Sequence, residues 1–241
     1  MKPQRIADLD CVLAGGDDGD GGGEGPMVVL LHGFGAPGDD LVALAEWIDA
    51  PAATRWVVPA APLAMPPHYG DARAWWMIDI ERVERELAGG RPADRAAEVP
   101  AGLVAARAAV RGLLDALARD HRRRDDLTVL GGFSQGAMLA VDAALHGAQP
   151  PRGMILMSGT LIAVAEWRPR GAALTGCRVL QSHGTRDPLL SFAGAEKLRD
   201  FLLEAGAEVG FVPFPGGHEI PPPVLELAGE LLEELFGPAG G

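Results

Sequence analysis

Short apolar runs alternate along the chain with longer segments in which apolar residues recur every three or four positions. The run at 27–31 is apolar throughout, which is typical of a strand buried on both faces of a parallel sheet. Other runs predict strands at 9–14, 56–58, 127–131, 154–157, 178–183 and 209–214. Helical spacing predicts helices at about 41–47, 81–86, 103–117, 195–205 and 224–235, and one directly after residue 134. The alternation predicts an α/β fold with a mostly parallel central sheet and helices on both faces.

Two segments depart from this alternation. Residues 15–26 are almost wholly Gly, Asp and Glu, a composition that cannot pack, so we expect a flexible loop or a hairpin tip there. Residues 66–100 combine aromatic residues with a charged helix, and we expect this insertion to lie near the active site. The length of 241 residues and the absence of an internal repeat predict a single domain over 1–241.

The stretch around Ser134 predicts a nucleophile elbow, in which a strand ends at a serine and a helix begins at once. Gly132 and Gly136 flank the serine at two residues' distance, where a side chain would collide with the neighbouring strand or helix. The turn lifts the hydroxyl above the sheet, and the start of the following helix offers partial positive charge to an oxyanion. A serine at this position is therefore a candidate nucleophile.

A serine hydroxyl needs a base, and the base needs an orienting group. On a sheet of this kind the three residues follow the order Ser, acid, His, each at the carboxyl end of a strand. His218 lies between the last predicted strand and the last helix, and Asp187 follows the strand at 178–183. His183 also ends a strand, but the acids before it are Glu166 or lie in predicted helices. Glu219 is a weaker candidate acid, because it is adjacent to His218 and poorly placed to orient its ring.

Ester hydrolysis also needs N–H donors that stabilise the developing oxyanion. The backbone N–H of Gln135, at the start of the helix, is one candidate, and the N–H of Phe34 in the glycine-rich loop at 32–35 is the other. The same loop could instead bind the phosphate of a dinucleotide. That alternative requires a further glycine at the helix start and an acid after the next strand, which the sequence lacks.

The charge and the cysteines narrow the range of partners. The net charge is −12, and the only basic run, 122–124, is followed by two aspartates, so we expect no nucleic-acid partner. No apolar stretch reaches transmembrane length, so integral membrane association is not expected. Cys11 and Cys177 have no metal-ligand or disulfide pattern, which favours a reducing, cytoplasmic location. The sequence is compatible with a homodimer.

With these residues identified, the chain resembles the phospholipase/carboxylesterase family of α/β hydrolases, which includes acyl-protein thioesterases. The resemblance covers about 28–235 and depends on several motifs. They are Leu-His-Gly-Phe-Gly, Pro-Ala-Ala-Pro, Gly-Gly-Phe-Ser-Gln-Gly-Ala, Ser-His-Gly-Thr-Arg-Asp-Pro and Gly-Gly-His. It implies an α/β-hydrolase fold, Ser134, Asp187 and His218 as triad, and the amides of Phe34 and Gln135 as oxyanion hole. It implies no metal and no organic cofactor.

The sequence departs from relatives at Trp75-Trp76, where they commonly carry Trp-Phe-Asp, so these residues bear on the shape of the substrate site. Loops expected to surround the elbow provide six candidate substrate-binding residues. They are Met65, Trp75, Trp76, Leu161, Leu189 and Ile220. The alternative for the two tryptophans is that they only pack the insertion onto the core.

These observations predict a serine carboxylesterase that hydrolyses short- to medium-chain esters through an acyl-enzyme on Ser134. Lysophospholipid or acyl-protein thioester hydrolysis by the same triad is an alternative that the sequence does not separate from it. A catalytically silent binding protein on this fold is a third hypothesis, and an intact set of Ser, Asp and His argues against it.

Overall fold

The computed structural model describes residues 1–89 and 92–237. The strands in chain order are β1 (Lys2–Ile6), β2 (Leu9–Gly16), β3 (Asp20–Gly22), β4 (Met27–Leu31), β5 (Arg55–Pro59), β6 (Leu63–Ala64), β7 (Arg73–Ala74), β8 (Thr128–Phe133), β9 (Gly153–Met157), β10 (Arg178–Gly184) and β11 (Glu208–Phe214). The helices are α1 (Leu44–Trp47), α2 (Ile80–Ala88), α3 (Leu103–Asp120), α4 (Gln135–Leu145), α5 (Val164–Trp167), α6 (Phe192–Glu204) and α7 (Pro222–Phe236). Short 3₁₀ turns occupy Pro67–Tyr69, Asp125–Leu127 and Arg168–Leu174.

One sheet contains strands from the beginning and the end of the chain. Its order is β1-β2-β5-β4-β8-β9-β10-β11, with β3 paired to β2, while β6 and β7 form a separate two-stranded ribbon. The strands from β5 to β11 in this order are parallel, and β1 and β2 pair antiparallel at one end. The predicted mostly parallel α/β sheet is therefore confirmed.

Strand β4 is buried on both faces because its side chains alternate between two cores. Val28 and Leu30 belong to the core under α1 and α7. Met27, Val29 and Leu31 belong to the larger core formed with α3, α4 and α6. Burial on both faces explains why the run at 27–31 shows no polar alternation.

Helix α4 is buried at all eleven positions, which explains its small and apolar composition. Its one acid, Asp142, is fully buried and accepts hydrogen bonds from Arg107 of α3 at 2.6 Å and 2.9 Å. The indole N–H of Trp167 donates to the same carboxylate at 2.8 Å. The buried charge is therefore paired, and it fixes α3 and α5 against the helix that follows Ser134.

The amino-terminal region differs from the sequence expectation. Residues 15–26 do not form a loop throughout, because β2 extends to Gly16 and β3 pairs with it. The Asp18 carboxylate accepts the N–H groups of Asp20 and Gly22 at 2.8 Å each and holds the turn. Glycine allows this packing, since a Cβ on Gly16 would lie 2.1 Å from the Gly22 carbonyl oxygen.

Other elements follow the predicted pattern with local changes. Helix α1 spans only four residues, since turns replace its predicted first part at 41–43. Strand β1 was not predicted because it is a largely exposed edge strand with a polar sequence. None of the helices in the described ranges is long and apolar enough to span a bilayer.

Candidate active site

The predicted nucleophile lies at a strained turn. Ser134 connects β8 to α4 with φ 55° and ψ −116°, a conformation that few non-glycine residues adopt. A Cβ at Gly136 would lie 1.9 Å from the Leu31 carbonyl oxygen, and one at Gly132 would lie 2.3 Å from the same atom. Both glycines are therefore needed for α4 to start against β4, as the elbow hypothesis expects.

Asp187 and His218 lie in contact although 31 residues separate them in the sequence. The loop after β10 carries Asp187, and the loop between β11 and α7 carries His218. His218 Nδ1 is 2.6 Å from Asp187 Oδ2. The other carboxylate oxygen accepts the N–H groups of Leu189 at 2.8 Å and Leu190 at 3.0 Å. The aspartate is thus held from both sides.

The electrostatics of Asp187 favour its ionised form. Burial raises the pKa of this carboxyl. The hydrogen bond to His218 and those to the two backbone amides lower the pKa, and together they outweigh burial, so the pKa lies below its ordinary value. Since an ionised carboxylate only accepts, Nδ1 of His218 carries the proton and Nε2 keeps a free lone pair. A histidine in this tautomer can accept a proton from a serine.

The His218 ring lies beside the elbow. Its centroid is 4.7 Å from that of Phe133, the residue directly before Ser134. The competing acid Glu219 does not orient the ring, because its carboxylate accepts the N–H of Gly217 at 3.0 Å. The geometry therefore brings together Asp187, His218 and the elbow, and it leaves Glu219 to stabilise the loop.

A second histidine contacts the same aspartate. His183, at the end of β10, is completely buried, and its Nε2 is 2.9 Å from the Leu190 carbonyl oxygen and 3.4 Å from Asp187 Oδ2. Burial is the main cause that lowers the pKa of His183, so the ring is neutral. From the sequence alone, His183 is only a weaker candidate for the base than His218. Its position at a strand end, four residues before Asp187, is the signal that could have identified it as a support for the acid.

The two predicted oxyanion donors lie at neighbouring strand ends. Gly33 packs against the elbow, since a Cβ on it would lie 3.4 Å from Cβ of Ser134. Among hydrogen bonds between described residues, none uses the backbone N–H of Phe34 or of Gln135. The two N–H groups therefore have no protein partner within the part of the chain that the structure describes.

His32 fixes the peptide that carries the Phe34 N–H. Its Nε2 accepts the N–H of Ala61 at 2.9 Å, so its Nδ1 carries the proton and donates to the Gly33 carbonyl oxygen at 2.7 Å. In a trans peptide the C=O and the N–H point in opposite directions. The bond to Gly33 therefore turns the Phe34 N–H away from His32.

The predicted substrate-binding residues fall into two groups. Trp75 and Trp76 are only 1% and 4% exposed and belong to the large core, which favours the alternative role of packing the insertion onto the core. Met65 and Leu161 are likewise buried, each at 6% exposure. Leu189 is 42% exposed and Ile220 is half-buried, and they flank Asp187 and His218 in the sequence. An open acyl site would be lined by this second group.

Sequence comparison agrees with this geometry. The sequence profile described as Phospholipase/Carboxylesterase matches residues 21–235. The chain belongs to this family. It is a serine carboxylic-ester hydrolase with the α/β-hydrolase fold, as the motifs and the sheet had indicated.

Individual relatives in the family are distant. An acyl-protein thioesterase 1 from Neurospora crassa is 27% identical over 79% of this chain and 79% of its own length. A probable carboxylesterase from Oryza sativa subsp. japonica is 28% identical over 80% of this chain and 71% of its own length. The crystal structure of the esterase PE8 has a TM-score of 0.78 and 27% identity, with 94% of this chain and 99% of that chain covered. A carboxylesterase from Mesorhizobium loti, 22% identical with a TM-score of 0.74 over 96% of this chain and 97% of that chain, shares the fold.

Proposed function

We propose that this hydrolase cleaves short- to medium-chain carboxylic esters through an acyl-enzyme on Ser134, with His218 as base and acid and Asp187 as its orienting group. The observation that carries the proposal is the 2.6 Å hydrogen bond from His218 Nδ1 to Asp187, made by a ring that also contacts Phe133 at the elbow. In this tautomer Nε2 is left free to serve as a base for Ser134, whose hydroxyl is the only one in the turn.

The reaction follows from these positions. His218 Nε2 takes the proton as Ser134 Oγ attacks the carbonyl carbon, and the carbonyl oxygen becomes an oxyanion bound by the N–H groups of Phe34 and Gln135. The intermediate expels the alcohol, which receives the proton from His218. Water then attacks the acyl-serine with His218 again as base, and the acid leaves while Ser134 recovers its proton. Asp187 stays ionised and stabilises the imidazolium in both halves.

The surroundings of the site support a simple ester over a lysophospholipid. Arg73 and Arg186 are cations close to the site in sequence, and each donates to backbone carbonyl oxygens of nearby loop residues. Arg73 bonds to Ala61 and Pro62, and Arg186 bonds to Pro215. Leu189 and Ile220 instead offer apolar surface to an acyl chain.

Exposed apolar surface of limited extent favours acyl chains of limited length. Each methylene that the site accepts stabilises the complex by about 0.8 kcal/mol, and further methylenes remain in water once the surface is covered. For p-nitrophenyl esters we expect kcat/KM to rise to a maximum between butyrate and octanoate and then to fall. Acyl thioesters of the same lengths, assayed in parallel, test the thioesterase alternative.

A leucine pair provides the matched control for this assay. Leu189→Ala should lower kcat/KM for octanoate more than for acetate, because it removes apolar surface beside Asp187. Leu203→Ala removes a similarly exposed side chain from the far end of α6 and should change neither value. If the unmodified enzyme instead becomes steadily faster up to palmitate, the lysophospholipase or thioesterase alternative is favoured. If no ester or thioester is cleaved, the binding-protein hypothesis is favoured.

The proposal also includes a cytoplasmic location and a possible homodimer. Cys11 and Cys177 are free and buried, and burial raises the pKa of each thiol to about 12. Thiols in this state are unreactive and form no disulfide, which is compatible with a reducing compartment. Cell fractionation tests the location, and sedimentation equilibrium tests the dimer.

A further inference from the structure

One short segment connects the loop that carries Phe34 to Gln135 at the start of α4, the two residues whose N–H groups are the predicted oxyanion donors. We call residues 73–76 the bridging segment. On one side, the N–H of Gly35 donates to the Arg73 carbonyl oxygen at 2.9 Å, and the N–H of Arg73 donates to the Ala36 carbonyl oxygen at 2.9 Å. These two bonds fix the bridging segment to the loop that contains Phe34.

On its other side, the bridging segment is bound by the side chain of Gln135. Oε1 of Gln135 accepts the N–H of Trp75 at 2.8 Å, and its Nε2 donates to the Trp76 carbonyl oxygen at 2.9 Å. The glutamine is 1% exposed, so both bonds form in the protein interior. The indole N–H of Trp75 adds a third bond, to the His32 carbonyl oxygen at 3.0 Å. The side chain of one donor residue is thereby connected to the loop of the other.

We propose that the Gln135 side chain is a positioning residue that sets the separation of the two oxyanion donors. The inference rests on the proposed function, in which the N–H groups of Phe34 and Gln135 bind one oxygen. Each donor must lie about 2.7–3.1 Å from that oxygen, so a small shift of one loop weakens the hole. Gln135 makes both of its amide bonds to the bridging segment, and that segment in turn bonds to Gly35 and Ala36.

The arrangement also explains the Trp75-Trp76 pair. Buried indoles anchor the bridging segment to the core, and the backbone of the pair presents one donor, the Trp75 N–H, and one acceptor, the Trp76 carbonyl oxygen, to Gln135. A primary amide matches that pair of groups, whereas an apolar side chain of the same length matches neither. The bonds therefore explain why a buried position at the start of α4 carries a polar side chain.

Gln135→Met tests the inference, because methionine keeps the length and loses both hydrogen bonds. Gln181→Met is the matched control. Gln181 is fully buried in β10, and its Nε2 donates to the Ala195 carbonyl oxygen at 2.8 Å, so this variant also loses a buried amide bond. For p-nitrophenyl butyrate we expect Gln135→Met to lower kcat about 10- to 100-fold, somewhat less than the loss of a whole donor. KM should stay within about twofold, and Gln181→Met should keep the wild-type kcat.

A stable analogue of the tetrahedral intermediate separates positioning from general loss of structure. An alkyl trifluoromethyl ketone forms a hemiketal with the serine and places its oxyanion in the hole. Its Ki should rise in Gln135→Met by the same factor by which kcat/KM falls, because transition-state analogues report transition-state binding. In Gln181→Met the Ki should not change.

Three results bear on the inference in different ways. If Gln135→Met is folded and keeps kcat and Ki within about twofold of the wild type, the inference is overturned. If Gln135→Met does not fold, Gln135→Glu is the variant to test. A protonated glutamate carboxyl at this position can donate to the Trp76 carbonyl oxygen, and an ionised one cannot. The kcat of Gln135→Glu relative to the wild type should therefore fall as the pH rises. A ratio near one at every pH overturns the inference. If the wild type hydrolyses no ester, the proposed function fails instead.

Discussion

Both carboxylate oxygens of Asp187 are held by hydrogen bonds. One oxygen accepts from His218, the other accepts from two backbone amides, and His183 lies 3.4 Å from the first. These contacts keep the carboxylate ionised and fix the tautomer of His218. The proposed orienting role of Asp187 depends on contacts that a single substitution can remove.

Asp187→Asn should lower kcat about 10,000-fold while the fold persists. An asparagine can still accept the Leu189 and Leu190 amides, but its NH₂ group donates to Nδ1 of His218 and moves the ring proton to Nε2. Steady-state kinetics with p-nitrophenyl butyrate measure the loss of kcat, and a circular dichroism spectrum measures whether the fold persists. Glu219→Gln is the control, because it keeps the bond to Gly217 and should stay close to wild-type activity. The reverse order of severity would show that Glu219 is the acid.

The strand β8, Ser134 and helix α4 form the element on which the site depends. Residue spacing predicted the elbow because Gly132 and Gly136 report a close approach of backbones. Spacing alone does not show which backbone approaches, and the structure identifies it as the carbonyl of Leu31 in β4.

Gly136→Ala should therefore destabilise the protein by about 3 kcal/mol or more, since its Cβ would lie 1.9 Å from a backbone oxygen. Gly112→Ala is the matched control within α3, because no atom lies within 4 Å of the added Cβ. That change should stabilise the protein by about 0.5–1 kcal/mol, as alanine restricts the unfolded chain. Urea unfolding measures both changes. Equal effects of the two substitutions would contradict the close packing of α4 on β4.

The sequence predicted the elements whose pattern reflects burial, and it missed those set by distant contacts. The run at 27–31 was sufficient to predict β4 because both faces of that strand are buried. The spacing of apolar residues was sufficient to predict α3 because one face of that helix is buried. The environment of Trp75 was not predictable, since an indole can face the core or a substrate equally well. Its bond to Gln135 crosses 60 positions in the sequence. The polar edge strand β1 was missed because its pairing partner, not its own composition, makes it a strand.

At the scale of the whole molecule, two buried histidines make the stability depend on pH. Burial is the main cause that lowers the pKa of both His32 and His183 below the ordinary value of 6.5. Below pH 6.5 the unfolded chain binds protons at these positions that the folded chain does not bind. The free energy of unfolding should therefore fall as the pH drops from about 6.5 through the folded-state pKa values.

Urea unfolding at pH 7.5, 6.5 and 5.5 measures this dependence. We expect the free energy of unfolding to decrease toward pH 5.5, and His183→Gln should make the decrease shallower. His68→Gln is the control, because His68 lies at the surface and its replacement should leave the slope unchanged. The lowered pKa of Asp187 affects stability in a lower pH range. Its contribution to the free energy of unfolding is present above the unfolded-state pKa of 3.8 and is lost as the pH falls through the folded-state pKa. A free energy that is constant from pH 7.5 to 5.5 would contradict the neutral, buried state of the two histidines.

The central claim is that Ser134 forms the acyl-enzyme, and labelling with an alkyl fluorophosphonate tests it most directly. The reagent phosphonylates an activated serine, so intact-mass spectrometry should show one adduct per chain, and peptide mapping should locate it at Ser134. Ser134→Ala should lose both the adduct and the hydrolysis of p-nitrophenyl butyrate while its melting temperature stays close to that of the wild type. An adduct on another residue, or hydrolysis by Ser134→Ala at the wild-type rate, would contradict the account.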